Sequence, residues 1–74
     1  MEDLLELIKA YGYVFDFGDK NQNKVRYASE NGFIDIWDGR KGITIGVYNP
    51  NTKQIMYERK PTLLEVEKLI ELTK

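Results

Sequence analysis

Catalytic chemistry in this 74-residue sequence would have to rest on carboxylates, because the chain contains neither cysteine nor histidine. Without those residue types, Ser-His and Cys-His nucleophiles and zinc sites built on cysteine or histidine cannot form within one chain. The acidic candidates of the central segment are Asp16, Asp19, Glu30, Asp35 and Asp38. Strand assignment places Asp16 and Asp35 too far apart for an acid–base pair, and no glycine loop that could cradle a phosphate is present. We therefore predict that this protein is not an enzyme.

The segment 19–23 is similar to a calcium-binding loop, since it combines Asp19 with the amide side chains of Asn21, Gln22 and Asn23. It lacks the glycine and the closing glutamate on which such a loop depends. We therefore expect no metal and no cofactor.

The sequence patterns predict two helices that enclose a run of short strands. Apolar residues recur at helical spacing over residues 2–10. A second helix is predicted to begin after Thr62, because Thr62 and Glu65 form the T-x-x-E capping box. Between the helices, alternating segments at 13–17, 24–29, 33–38, 43–48 and 54–59 predict five strands, which are separated by turns rich in Gly, Asn and Asp.

The lengths of the turns predict which residues face each other. A two-residue Asn31-Gly32 turn pairs Ala28 with Asp35, and the loop 39–42 pairs Asp35 with Gly46. A five-residue loop at 49–53 pairs Gly46 with Met56. In the first hairpin, we expect Phe17 opposite Val25 and Asp16 opposite Arg26.

This register assembles a continuous apolar face, since every step keeps the same side of the sheet. The face comprises Tyr13, Phe15, Phe17, Val25, Tyr27, Ile34, Ile36, Ile43, Ile45, Val47, Ile55 and Tyr57. We predict an α+β fold in one domain, 1–74: a five-stranded antiparallel meander with the N- and C-terminal helices packed on this face.

The opposite face is the predicted binding surface. Its candidate residues are Arg26, Phe33, Asp35, Trp37, Tyr48 and Met56. Asp35, with small residues beside it, is expected to form the acidic floor of a shallow cup with an aromatic rim. Trp, Tyr and Arg are enriched in the energetic centres of protein interfaces, so the first hypothesis is a protein partner. Two other interpretations stay open: the face could pair two copies of the chain, or its cation–aromatic contacts could serve stability alone.

A second candidate surface is basic. Arg40 and Lys41 lie in one predicted turn and Lys53 in another, and all three could contact phosphate. The segment Ile43–Gln54, followed by a strand and the capped helix, resembles the arm-type DNA-binding domain of tyrosine integrases. That family lays a three-stranded sheet in the major groove, so the resemblance implies a sheet-based nucleic-acid module as the alternative function.

The whole chain also resembles the small cysteine-free α/β proteins of phages and mobile elements, including anti-CRISPR and other anti-defence inhibitors. The resemblance is one of size, charge balance and architecture, and it implies a stoichiometric inhibitor of a host protein. Eleven basic and twelve acidic residues give a net charge of −1, so no whole-molecule field attracts an acidic membrane. The absence of cysteine favours a reducing compartment, and we expect a cytoplasmic protein that does not act on membranes.

Overall fold

The computed structural model describes residues 2–73, which form two helices and one five-stranded sheet. The helices are α1 (Glu2–Ala10) and α2 (Leu63–Leu72). The strands are β1 (Val14–Asp19), β2 (Lys24–Ser29), β3 (Gly32–Gly39), β4 (Gly42–Asn49) and β5 (Gln54–Arg59). Each strand pairs antiparallel with the next along the chain. The predicted α+β meander with a helix at each end is therefore confirmed.

Both helices begin with favourable local chemistry. The first turn of α1 carries Glu2 and Asp3 at the positive end of the helix dipole. At α2, Thr62 accepts a hydrogen bond from the Glu65 N–H and the Glu65 carboxylate accepts one from the Thr62 N–H, which is the predicted capping box. Within residues 2–73, no helix has the length and apolar character needed to span a membrane.

The core lies between the helices and one face of the sheet, here called the helix-covered face. Buried side chains from α1, from α2 and from the three central strands meet there: Leu4, Ile8, Tyr27, Ile34, Ile36, Ile45, Val47, Val66 and Ile70. Tyr13 closes one side of the core with its hydroxyl 3.5 Å from the Thr73 Oγ1. Burial of this apolar surface stabilises the fold by about 25 cal/mol for each Å² removed from water.

The β1–β2 and β4–β5 turns share one construction. Oδ1 of Asp19 and Oδ1 of Asn49 each accept a hydrogen bond from the backbone N–H two residues later, at 3.0 and 2.9 Å. This Asx turn starts a four-residue loop in both cases. The last loop residue, Asn23 or Lys53, is left-handed, with φ of 51° and 59° respectively.

The predicted register is correct for β3 and β4, where Asp35 lies opposite Gly46. Between β2 and β3 it is wrong by two residues, because Arg26 rather than Ala28 lies opposite Asp35. The turn residues are Glu30 and Asn31, and neither has the positive φ that a type I′ turn requires. A slip of two residues preserves the faces, so β2 and β3 still present the predicted side chains to the core.

The side chains of β5 lie on the opposite faces of the sheet from those predicted. The β4–β5 loop has four residues rather than five, so Gly46 pairs with Tyr57 and Val47 pairs with Met56. A slip of one residue exchanges the two sides of a strand. Ile55 and Tyr57 therefore lie on the face away from the helices, which we call the outer face.

The alternation of side chains along β1 is interrupted part of the way along the strand. A bulge between Phe15 and Phe17 leaves Asp16 without a partner and places Phe17 opposite Arg26 rather than Val25. Phe17 consequently lies on the outer face, contrary to the prediction. Phe15 stays on the helix-covered side, edge-on to Tyr27 with ring centres 5.9 Å apart, and is 61% exposed.

Candidate functional site

An ion pair lies at the centre of the outer face. Arg26 donates from Nε to Oδ1 of Asp35 at 2.6 Å and from Nη2 to Oδ2 at 2.9 Å. The Asp35 side chain is only 3% exposed, whereas that of Arg26 is 25% exposed. Hydrogen bonding to Asp35 raises the pKa of Arg26 further, against the effect of its own burial. The Nζ of Lys24 lies 4.0 Å from the same carboxylate.

A row of stacked side chains crosses four strands through this pair. The Arg26 guanidinium lies 3.9 Å from the centre of the Phe33 ring and 5.0 Å from that of Phe17. Phe33 in turn stacks on Tyr48, with ring centres 4.8 Å apart and planes within 4°. Arg26 lies beside Phe17 and Phe33 rather than Trp37, because the β2–β3 register places Lys24, and not Arg26, opposite Trp37.

A second row runs toward the other edge of the sheet. The Nζ of Lys24 lies 5.5 Å from the Phe17 ring centre and 5.8 Å from that of Trp37. Trp37 lies 5.8 Å from Tyr57, with the planes tilted by 44°. Cations placed over aromatic faces each contribute about 0.5–2 kcal/mol, depending on their exposure. The two rows together hold the outer face in one arrangement.

The predicted acidic cup is filled. Asp35 is covered by Arg26, so its carboxylate is not presented to a ligand. A Cβ on Gly46 would lie 3.1 Å from each of three side chains, those of Trp37, Ile55 and Tyr57. Gly46 therefore makes room for neighbouring side chains rather than for a bound molecule.

The structure brings five of the six predicted outer-face residues together and excludes the sixth. Met56 lies opposite Val47 on the helix-covered face, because of the one-residue slip in β5. Sequence reasoning missed Phe17, Lys24 and Tyr57. Gly18 carried the available signal for Phe17, since a glycine inside a strand often accompanies a bulge.

The most exposed large apolar side chains of the outer face lie near its two edges. Val14 and Phe17 on β1 are 66% and 40% exposed, and Tyr57 on β5 is 59% exposed. Phe33, Trp37 and Tyr48 between them are half-buried. The face therefore presents an apolar, aromatic surface around an ion pair that is already satisfied.

The three basic residues predicted as phosphate contacts do not form one surface. Arg40 and Lys41 form the turn between β3 and β4. Lys53 belongs to the β4–β5 turn, which lies at the other end of the strands. Arg40 and Lys41 are instead close to the β1–β2 turn, where the Asp38 N–H donates to the Asn23 carbonyl at 3.0 Å.

The helical side of the molecule has a different polar cluster. The hydroxyl of Tyr11, after α1, lies 2.8 Å from Oε1 of Glu71 and 3.2 Å from Oε1 of Glu67 on α2. The hydrogen bond to Glu71 is the main cause that raises the pKa of Tyr11 to about 12. Desolvation and the negative charge of both carboxylates act in the same direction. This cluster joins the two helices and lies away from the outer face.

Comparison with protein-family models, curated proteins and solved structures finds no match to this chain.

Proposed function

We propose that this chain is a non-enzymatic protein-binding protein whose outer face docks on a protein partner. The observation that carries the proposal is the exposure of Phe17 and Tyr57 on an outer sheet face that also holds Trp37. Aromatic side chains that stand in water contribute large apolar areas to an interface when a partner covers them.

The central ion pair of the face supports a protein partner that is not strongly charged where it covers this pair. Arg26 and Asp35 satisfy each other through two hydrogen bonds, so docking over them does not bury an uncompensated charge. The cross-strand stacks hold Phe33 and Tyr48 in place before a partner arrives. Such preorganisation lowers the entropy lost on association.

By resemblance to small phage and mobile-element proteins, the proposed mode of action is stoichiometric inhibition or modulation of a host protein. The chain would act by covering a surface of the partner and not by carrying out a reaction on it. Pairing of two copies through the same face is the competing interpretation, since it would cover the same rings.

Affinity capture from a host lysate tests the proposal when it is run with matched variants. Phe17→Ser and Tyr57→Ser alter exposed rings and should reduce the captured partner at least tenfold, the scale of a hot-spot residue. Leu64→Ser is the control, because Leu64 is 62% exposed but lies on α2. Equal capture by all four proteins would reject the outer face as the docking surface.

Sedimentation velocity at several protein concentrations distinguishes binding to a host partner from pairing of two copies of the chain. A host partner predicts that the chain alone stays monomeric and forms a complex of fixed ratio with the purified partner. Dimers that form in the chain alone and disappear with Tyr57→Ser would instead assign the face to self-association.

A further inference from the structure

One end of the sheet concentrates the basic residues of the central segment. We call this surface the basic end: Lys20, Lys24, Arg40, Lys41, Arg59 and Lys60. The hydrogen-bonded pairing of the strands brings these residues to one end. Lys24 lies opposite Trp37 and Arg59 lies opposite Thr44. The Lys60 N–H donates to the Ile43 carbonyl at 2.7 Å, next to the turn that holds Arg40 and Lys41.

Within residues 2–73, most of these cations form no ion pair. In residues 2–73, the side chains of Lys20, Arg40, Lys41, Arg59 and Lys60 take part in no ion pair within 4.0 Å. All five are exposed. Three acidic residues of the sheet lie at or next to the same end, Asp19, Asp38 and Glu58, and the Asp19 carboxylate is engaged by the backbone of its own turn. The basic end therefore keeps an excess of positive charge.

The acidic residues are concentrated elsewhere. The two helices together contain six acidic and two basic residues, although the whole chain has a net charge of only −1. On the helix-covered side, Asp3 borders the cleft next to Pro61. The molecule is thus electrostatically two-sided, and a local positive field can attract a polyanion even when the net charge is slightly negative.

Aromatic rings adjoin the basic end on the outer face. The ammonium of Lys24 lies between the rings of Phe17 and Trp37, and Trp37 contacts Tyr57. The exposed Tyr57 precedes Arg59 by two residues, so both side chains lie on the outer face of β5. Cations beside exposed rings on an antiparallel sheet can hold phosphates and stacked bases together.

We infer that the basic end and the adjoining rings bind single-stranded nucleic acid. Phosphates would contact Arg40, Lys41 and Arg59, and bases would stack on Tyr57. A duplex would use the cations alone, because its base faces are already stacked and cannot cover the rings. This inference goes beyond the proposed protein partner and does not depend on it. The two ligands would compete, because both use Tyr57.

Fluorescence anisotropy with labelled oligothymidylate and oligouridylate of about 12 nucleotides tests the inference directly. Binding is expected at low salt, with log K falling against log salt with a slope of about −2 to −3 for three or four neutralised phosphates. Arg40→Gln combined with Lys41→Gln should reduce this slope by about 1 to 1.5. Tyr57→Ser should weaken binding about tenfold through lost stacking. The emission of Trp37 should also be quenched by the oligonucleotide.

The matched control is Lys53→Gln, which removes an exposed turn lysine at the opposite end of the sheet. Its affinity and salt slope should equal those of the unaltered chain. The inference is overturned if no anisotropy change occurs at low salt, if Lys53→Gln is as damaging as the double variant, or if a duplex binds as tightly as the single strand. Arg40 and Lys41 lie in a turn and are not among the proposed protein contacts. Failure of the protein-capture experiment would therefore leave the oligonucleotide test unaffected.

Discussion

Arg26 and Asp35 lie opposite each other on β2 and β3 and share two hydrogen bonds of 2.6 and 2.9 Å beneath the aromatic rings of the outer face. The carboxylate is almost fully covered, so its charge is compensated by Arg26 rather than by water. The pair fixes the position of the guanidinium against Phe33. The arrangement of the outer face therefore depends on a contact that lies below its surface.

Asp35→Asn should destabilise the protein by about 2–4 kcal/mol, because it removes one partner of a mostly buried pair and leaves Arg26 uncompensated. Urea unfolding followed by Trp37 fluorescence measures the change. The double variant Arg26→Met with Asp35→Leu should recover part of the loss, since it removes the uncompensated Arg26 charge and leaves only Lys24 without the Asp35 carboxylate that lies 4.0 Å from it. A loss below about 0.5 kcal/mol for Asp35→Asn would show that the pair is replaceable by solvent.

Gly32→Ala should be more harmful than Gly46→Ala. At Gly32, φ is +134° and a Cβ would lie 2.8 Å from the Tyr48 carbonyl oxygen, which is backbone and cannot move cheaply. We expect a loss of about 2 kcal/mol or more there. At Gly46 the neighbours are the ends of three side chains, so the loss should be about 1 kcal/mol. Parallel urea titrations compare the two, and the reverse order would contradict the packing described for the outer face.

The Tyr11 cluster predicts a loss of stability at high pH. The folded pKa of Tyr11, about 12, lies above its ordinary value of 10.0, so the folded state favours the protonated phenol. The contribution of Tyr11 to the free energy of unfolding is therefore complete below pH 10 and is lost as the pH rises through 12. Comparison of the unaltered chain with Tyr11→Phe isolates it from other titrating groups. The difference in free energy of unfolding between the two proteins should shrink over this pH range, and a constant difference would refute the linkage.

The N-terminus of α2 depends on Thr62. Thr62→Ala removes the side-chain oxygen that accepts from the Glu65 N–H and should destabilise the protein by about 1 kcal/mol. Thermal unfolding followed by circular dichroism measures the effect. Thr52→Ala is the matched control, because Thr52 lies exposed in the β4–β5 turn. Equal losses in the two variants would mean that the cap adds nothing.

The sequence predicted the meander because strand periodicity and turn residues agree over most of the chain. The pairing of Asp35 with Gly46 was predictable because the glycines at 39 and 42 bound a tight turn. The face on which each β5 side chain lies was not predictable from loop length, because it depends on whether Asn49 pairs with β5 or belongs to the loop. The structure shows that it pairs with Gln54, while Lys53 takes a left-handed conformation that non-glycine residues adopt less often.

The candidate site was predictable in part for the same reason. Arg26, Phe33, Trp37 and Tyr48 reach the outer face because β2, β3 and β4 keep the predicted sides. Their individual contacts changed with the two-residue slip, because alternation fixes the face and does not fix the partner.

The bulge at Asp16 places Phe15 and Phe17, two residues apart, on opposite faces of the sheet. If β1 lost the bulge but kept residue 16, regular alternation would return both rings to one face, so one of them would have to change sides. Substitutions on the outer face change one side chain at a time. A substitution that removed the bulge would move a whole aromatic ring, and so would change the apolar surface of the outer face in one evolutionary step.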